Sequence, residues 1–123
     1  MGKRIITISR EFGSGGRFIG EEVAKKLGIA DYILKNRDDV LNVFVHGDMT
    51  EKVQRICKLY SVTEADAVKM INDTDKRRRT NYNYYTEQKW GMARNYTLSL
   101  NSSVLGYDMC QKIIIDCIST NDC

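Results

Sequence analysis

Three stretches of the chain carry the apolar and β-branched pattern that is typical of β-strands. They span residues 3–9, 40–46 and 96–100. The first two are nearly continuous apolar runs, which indicates strands buried on both faces, whereas the third alternates apolar and polar side chains. The pattern therefore predicts three strands that are well separated along the sequence.

Helical spacing of apolar residues fills the intervals between these strands. It predicts helices over residues 17–27, 49–59 and 105–118, with Gly28 ending the first of them. Thr63, followed three residues later by Asp66, resembles a capping box that opens a further helix. Residues 31–39 remain ambiguous, with a short helix as one reading. Strands that alternate with helices predict an α/β fold, with a parallel three-stranded sheet and right-handed crossovers in one domain, residues 1–123.

A glycine-rich turn joins the first predicted strand to the first predicted helix. It contains the candidate ligand-binding residues Gly13, Ser14, Gly15, Gly16 and Arg17. Backbone amides in such a turn converge at the positive end of the following helix, a geometry that suits a phosphate group. The usual phosphate loop reads G-x-x-x-x-G-K-[ST], but here Gly16 stands at the lysine position and Arg17 at the Ser/Thr position. A phosphate site and a plain turn both remain open on this evidence.

Composition narrows the class of protein. The 123 residues are 42% hydrophobic and 28% charged, as in an ordinary globular domain. No apolar run approaches the roughly 18 residues of a membrane span, and the first strand is too short for a signal peptide. We therefore expect a cytoplasmic protein with no membrane partner.

Charge is distributed unevenly along the chain. The net charge is +3, yet residues 75–94 alone hold six cations against two anions. This excess suggests a partner with concentrated negative charge, although a solvated basic helix end would give the same pattern.

Cysteine and histidine residues do not form a metal-binding pattern. Cys57, Cys110, Cys117 and Cys123 include no C-x-x-C pair, and His46 is the only histidine. This spacing disfavours zinc. Cys110 and Cys117 are seven residues apart on one predicted helical face, which favours buried apolar thiols, and His46 is expected to be structural.

Three blocks of sequence together resemble the cytidylate kinase-like family of phosphate-loop proteins. ITISREFGSGGR at residues 6–17 is similar to its phosphate loop, which in that family tends to lack the usual lysine. DKRR at residues 75–78, followed by YYT and by WG at residues 90–91, resembles its lid, here residues 75–95. NYTLSLNSS at residues 95–103 is similar to its last strand and to the loop that approaches the nucleotide base.

The resemblance implies roles for individual residues. The amides from Gly13 to Arg17 would hold the phosphates of ATP, and Mg²⁺ would bind mainly through phosphates and water. The resemblance also implies that Arg78 is the lid cation, with charge added by Arg77 and Arg94. It further implies that the adenine site is bordered by Asn101, Ser102 and Ser103.

The chain departs from the family pattern by lacking an internal segment. Family members carry a nucleoside-monophosphate-binding part between the first helix and the fourth strand, and here the two flanking pieces join near residues 28–31. The family's sheet order 2-3-1-4-5 is thereby expected to shrink to 1-4-5, with the strand at residues 3–9 exposed at an edge. An exposed edge invites pairing with another chain, so we expect self-association through this strand.

These considerations predict a nucleotide-binding kinase homologue in which phosphoryl transfer to a nucleoside monophosphate is impaired. The alternative is a non-catalytic module that responds to nucleotide or binds a protein partner. Nucleic-acid binding through the basic, tyrosine-rich residues 77–90 is a third and less favoured reading.

Overall fold

The computed structural model describes residues 5–27, 40–86 and 88–120. Three strands and five α-helices occur in these ranges, together with a short 3₁₀ turn at Ala93–Asn95. In chain order they are β1 (Ile5–Arg10), α1 (Gly16–Leu27), β2 (Val40–His46), α2 (Met49–Tyr60), α3 (Glu64–Thr86), β3 (Leu98–Asn101), α4 (Ser102–Leu105) and α5 (Tyr107–Thr120).

The three strands form one parallel sheet in the order β1-β2-β3. β1 pairs with β2 from Ile5 opposite Val40 to Arg10 opposite Val45. β2 pairs with β3 from Val43 opposite Leu98. The predicted parallel α/β sheet is confirmed, and within the described ranges β1 lies at one edge of it.

The main core lies between one face of this sheet and helices α1 and α5. Ile19 and Val23 of α1 and Ile114 of α5 pack on Val43 and Val45 of the central strand, and all five side chains are buried. Burial of such aliphatic side chains supplies about 1.5–3 kcal/mol each. This layer holds the start of α1 firmly against the carboxyl ends of the strands.

A second apolar cluster joins α2 to α3. Val53 and Ile56 of α2 pack against Ala67 and Ile71 of α3. The predicted start of α3 is confirmed, because the Asp66 amide donates to Thr63 Oγ1 at 3.2 Å. The cluster fixes both helices relative to the loop between β1 and α1.

Two predicted boundaries were wrong. β3 begins at Leu98 rather than at residue 96, because the Tyr96 ring turns inward and stacks on Phe44 at 4.9 Å. The last helix starts at Tyr107, because Gly106 has a φ of +83° and ends the short helix α4 before it.

The remaining predictions on single residues have different outcomes. The His46 ring stacks on Phe44, and Cys110 is buried, which raises the pKa of its thiol. Cys57, Cys110 and Cys117 are free thiols. Three of the predictions fall outside the described residues: they concern Cys123, residues 3 and 4 of the first predicted strand, and the ambiguous residues 31–39. Within the described ranges, no helix is both long and apolar enough to cross a membrane.

Candidate functional site

The turn between β1 and α1 adopts a conformation that only glycine accommodates easily. Gly13 and Gly15 have φ values of +86° and +80°. The Ser14 hydroxyl donates to the Glu11 carbonyl at 2.7 Å and accepts from the Gly16 amide at 3.2 Å. Within the described part of the chain, the amides of Gly13 and Gly15 donate to no protein acceptor. The loop thus leaves backbone donors available for a ligand at the start of α1.

Gly16 explains why no lysine follows the loop glycines. A Cβ atom at this position would lie 2.6 Å from Cβ of Arg10 and 3.2 Å from Cβ of Val45. Real Cβ atoms do not approach other atoms so closely, so the backbone here has no room for a side chain. A lysine at this position would require Arg10 or Val45 to move.

A cleft of about 500 Å³ opens beside the loop, and its charged lining is mainly cationic. Gly13, Gly15 and Gly16 line it together with four arginines and two glutamates: Arg10, Arg17, Arg55, Arg78, Glu11 and Glu21. Both carboxylates are engaged by cations, since Glu21 pairs with Arg17 and Glu11 pairs with Lys52, each at 2.9 Å. The remaining positive charge makes the cleft suitable for a polyanion.

Arg78 is the predicted lid residue that the structure brings to this cleft. Its Nη1 donates to the Arg10 carbonyl at 3.1 Å, and the guanidinium lies 5.8 Å from the centre of the Phe12 ring. Burial, above all, lowers the pKa of this guanidinium from its ordinary value, with the neighbouring charge of Arg10 adding to the effect. A half-buried guanidinium held in place in this way is pre-oriented toward an anion.

Asp75 provides a second connection between α3 and the loop. Its carboxylate accepts a hydrogen bond from the Phe12 amide at 2.8 Å, and burial raises the pKa of this carboxyl above its ordinary value. The predicted lid segment 75–95 therefore begins inside a continuous helix that reaches Thr86, and its first turn is already docked on the loop.

Arg77 and Arg94 occupy different surroundings. Arg77 is exposed on α3, and Arg94 is exposed in the 3₁₀ turn. Neither residue lines the cleft beside Gly13–Arg17. Of the three arginines that the sequence nominated, the structure brings only Arg78 to the loop.

Asn101 ends β3, Ser102 and Ser103 begin α4, and Ser102 braces the glycine loop. Ser102 Oγ is 2.6 Å from the Ser14 carbonyl oxygen and 3.2 Å from that of His46. Asn101 Oδ1 accepts from the Ser103 amide at 2.9 Å, and Ser103 Oγ accepts from the Asp48 amide at 2.7 Å. None of the three lines the cleft. Their role beside an adenine base stays a prediction.

Sequence reasoning missed the contribution of α2. Lys52 is 5% exposed and pairs with Glu11, while Arg55 lies in the cleft with its guanidinium 5.1 Å from the centre of the Tyr107 ring. The spacing of Val53 and Ile56 indicated the apolar face of α2, but no pattern in the sequence showed that its neighbouring cations meet the loop. Among the described residues, no group of three His, Cys, Asp or Glu side chains could hold a metal ion.

A solved structure with a similar fold covers nearly the whole chain. It is the crystal structure of an uncharacterized protein from Eubacterium ventriosum, with a TM-score of 0.87 and 21% sequence identity. The similarity covers 96% of this chain and 99% of that one, so the two chains share this fold over nearly their full lengths. No curated protein matches the sequence.

The sequence also matches the profile of a protein family. The cytidylate kinase-like family matches residues 5–30 and residues 29–104 as two segments. The two segments meet at residues 29–30, where the family's internal part was predicted to be absent. Together they cover most of the chain, and they include the glycine loop, Arg78 and the end of β3. The chain belongs to the cytidylate kinase-like family.

Proposed function

We propose that this protein binds the phosphate chain of a nucleoside triphosphate such as ATP at the loop of residues 13–17. The observation that supports this most directly is the arrangement at the start of α1. Gly13 and Gly15, whose amides meet no acceptor among the described residues, line the same cleft as Arg78, whose guanidinium is held by the Arg10 carbonyl. Backbone donors and fixed cations are the groups that phosphoryl-transfer proteins use to bind phosphates.

In this proposal the chain replaces the missing loop lysine with arginines from three places. Arg10 is the last residue of β1, Arg55 comes from α2, and Arg78 comes from α3. Planar guanidinium groups bind phosphate oxygens in pairs, which suits a triphosphate that spans the cleft. Mg²⁺ would enter with the nucleotide, bound to phosphate oxygens and water.

The experiment is titration calorimetry with ATP and Mg²⁺ on the intact chain and on two matched variants. Arg78→Ala removes a cleft cation, whereas Lys76→Ala removes an exposed cation two residues earlier on α3. A charged hydrogen bond contributes about 1.5–3 kcal/mol. We therefore expect Arg78→Ala to weaken binding by about 10- to 100-fold and Lys76→Ala to leave it nearly unchanged. Absence of binding to the intact chain at millimolar nucleotide would reject the proposal.

We further propose that phosphoryl transfer to a nucleoside monophosphate is impaired. The family profile matches the chain as two segments that meet at residues 29–30, which is where the sequence analysis expects the acceptor-binding part to be missing. Correct positioning of both reactants supplies on the order of 7–11 kcal/mol in favourable reactions. A chain that positions only the donor would lose most of that acceleration.

A coupled assay for ADP release separates this reading from its alternative. Release that depends on cytidine monophosphate and approaches ordinary kinase rates would show that transfer is intact. Nucleotide binding without such release is expected, and it would favour a non-catalytic module that responds to nucleotide.

A further inference from the structure

The second half of α3 and the turn that follows it carry exposed cations without ion-pair partners. The exposed cations are Lys76, Arg77, Arg79, Lys89 and Arg94. None of them forms an ion pair within the part of the chain that the structure describes. Lys69, earlier on the same helix, is also exposed but pairs with Asp73 at 3.4 Å. The unpaired charge after Asp75 therefore favours an anionic partner.

Two tyrosines are exposed in the same stretch. Tyr84 and Tyr85 are 77% and 80% exposed, and their rings meet edge to face with the centroids 4.9 Å apart. Tyr82, by contrast, stacks on Tyr96 against the body of the protein. Arg77 lies on the same side of α3 as Tyr84, because residues seven positions apart share a helical face. The exposed rings and an unpaired cation thus form one surface, and adjacent exposed rings are typical of a binding surface.

A groove of about 400 Å³ opens where α3 ends. It is lined by Arg79, Asn83, Lys89, Trp90, Gly91 and Met92. The Arg79 guanidinium lies 5.8 Å from the centre of the Trp90 ring, and the Trp90 amide donates to Asn83 Oδ1 at 2.8 Å. Asn83 directly precedes Tyr84 on α3, so the groove adjoins the tyrosine pair. None of its lining residues lines the cleft beside the glycine loop.

The combination of rings and cations restricts the class of ligand. Aromatic side chains on which bases stack, placed beside cations that contact the backbone, are the groups with which proteins bind single-stranded nucleic acid. Bases inside a duplex are already stacked on one another and do not offer their faces. An acidic peptide would satisfy the cations but would leave the rings without a stacking partner.

We propose that single-stranded nucleic acid binds to a basic aromatic surface, which consists of Arg77, Arg79, Tyr84, Tyr85, Lys89 and Trp90. Bases stack on the two tyrosines and on the indole, and the three cations contact phosphates. This function goes beyond nucleotide binding at the glycine loop. Because the groove and the cleft share no lining residue, both sites can be occupied at once.

Fluorescence anisotropy tests the proposal with end-labelled oligothymidylate and oligouridylate of about 12 nucleotides, a length within the range of single-strand sites. An abasic strand of the same length and the strand annealed to its complement are the comparison ligands. One double variant, Tyr84→Ala with Tyr85→Ala, removes both rings, and the matched Tyr84→Phe with Tyr85→Phe keeps them. Arg77→Ala removes an unpaired cation, and Lys69→Ala is its control because Lys69 is exposed on the same helix but paired.

We expect the single strands to bind more tightly than either comparison ligand. The alanine double variant should weaken binding by about 5- to 100-fold, the range for loss of one base stack, and the phenylalanine variant should bind as the intact chain does. Arg77→Ala should reduce the slope of log K against log salt by about 0.7, whereas Lys69→Ala should not change it. The tighter of the two single strands identifies the ligand as DNA or RNA.

Trp90 provides a second readout in the intact chain. It is the only tryptophan in the sequence, so quenching of its fluorescence reports a base stacked in the groove. The single strands should quench it, and the abasic strand should not. Both tyrosine rings are largely exposed, so their replacement leaves the core intact, and circular dichroism verifies this.

Several results would overturn the inference. They are absence of strand binding to the intact chain, equal affinity for the abasic strand, and unchanged affinity in the alanine double variant. Displacement of the strand by saturating ATP and Mg²⁺ would place it in the cleft, which refutes the inference while nucleotide binding at the loop stands. If the strand binds as expected and ATP does not bind at all, the proposed function fails and the inference stands.

Discussion

Replacement of Gly15 by alanine tests whether the loop is as closely packed as its geometry indicates. Gly15 has a φ of +80°, and a Cβ atom there would lie 2.4 Å from Cζ of Tyr107 and 2.7 Å from its hydroxyl oxygen. Tyr107 cannot move away freely, because its ring also contacts Phe18 and the guanidinium of Arg55. Both the backbone and the neighbouring ring therefore oppose a side chain at this position.

The expected cost has two parts. A left-handed backbone conformation costs alanine about 1–2 kcal/mol relative to a right-handed one. Forcing an extra carbon atom into a packed site costs a further ~1–3 kcal/mol. Gly15→Ala should therefore lower the free energy of unfolding by about 2–5 kcal/mol. It should also weaken ATP binding, because the loop amides would shift.

Gly91 provides a control with the same backbone conformation and more space. Its φ is also +80°, but the nearest atom to its Cβ would be Cζ of Phe44, at an ordinary 3.4 Å. Gly91→Ala should thus lower the free energy of unfolding only by the cost of the left-handed backbone, about 1–2 kcal/mol. Alanine also lowers the conformational entropy of the unfolded chain relative to glycine, which raises stability. This effect is the same in both variants and cancels when they are compared.

Urea unfolding measures both variants, alone and combined with Tyr107→Ala. When the Tyr107 ring is removed, the excess cost of Gly15→Ala over Gly91→Ala should disappear. The reasoning is refuted if the two alanine variants are equally stable in the parent chain, or if the excess persists without the Tyr107 ring.

Three further predictions concern the surroundings of the loop. Lys52→Met leaves Glu11 without its buried partner and should lower the free energy of unfolding by about 3 kcal/mol. Adding Glu11→Gln to this variant should recover part of that loss. If the losses of the two single variants simply add in the double variant, measured by thermal unfolding, the prediction is contradicted. The pKa of Asp75 is raised on folding, so its contribution to stability is present below about pH 3.8 and is lost as the pH rises through the folded value. Asp75→Asn should therefore gain stability relative to the parent between about pH 4 and 7. The exposed control Asp73→Asn should show no such gain. If the free energy of unfolding in urea has the same dependence on pH in all three chains, the effect is refuted. Pairing through the edge strand β1 should give a mass that rises with concentration in light scattering, and a monomeric mass throughout would exclude it.

Much of the fold could be predicted because its patterns are local. VLNVFVH at residues 40–46 is a strand in the structure, with the predicted bounds. The alternation of strands and helices was sufficient to predict parallel pairing, because parallel strands need such crossovers. The glycine loop was recognisable because close approach and positive φ values restrict the choice of residue.

The boundaries that were wrong depended on contacts between distant residues. Tyr96 has the β-propensity of a strand residue, but its ring is buried against Phe44 of β2 and its hydroxyl accepts from the Gly91 amide. The cationic residues after Asp75 were assigned to a lid because they resemble that segment of the family. They are helical because α3 continues from the packed turn that contains Ala67 and Ile71.

The sequence alone determined the α/β class, the order of the elements and the glycine loop, and its resemblance to the family pointed to Arg78, which lies beside that loop. The tertiary structure decided which other groups meet that loop: Arg55 and Lys52 from α2, and Asp75 from α3. It also decided that Gly16 has no room for a side chain, since the atoms that exclude one belong to Arg10 and Val45. The physical reason is that periodicity and turn chemistry act over a few residues, whereas the charge of this cleft depends on how separate helices pack against one sheet.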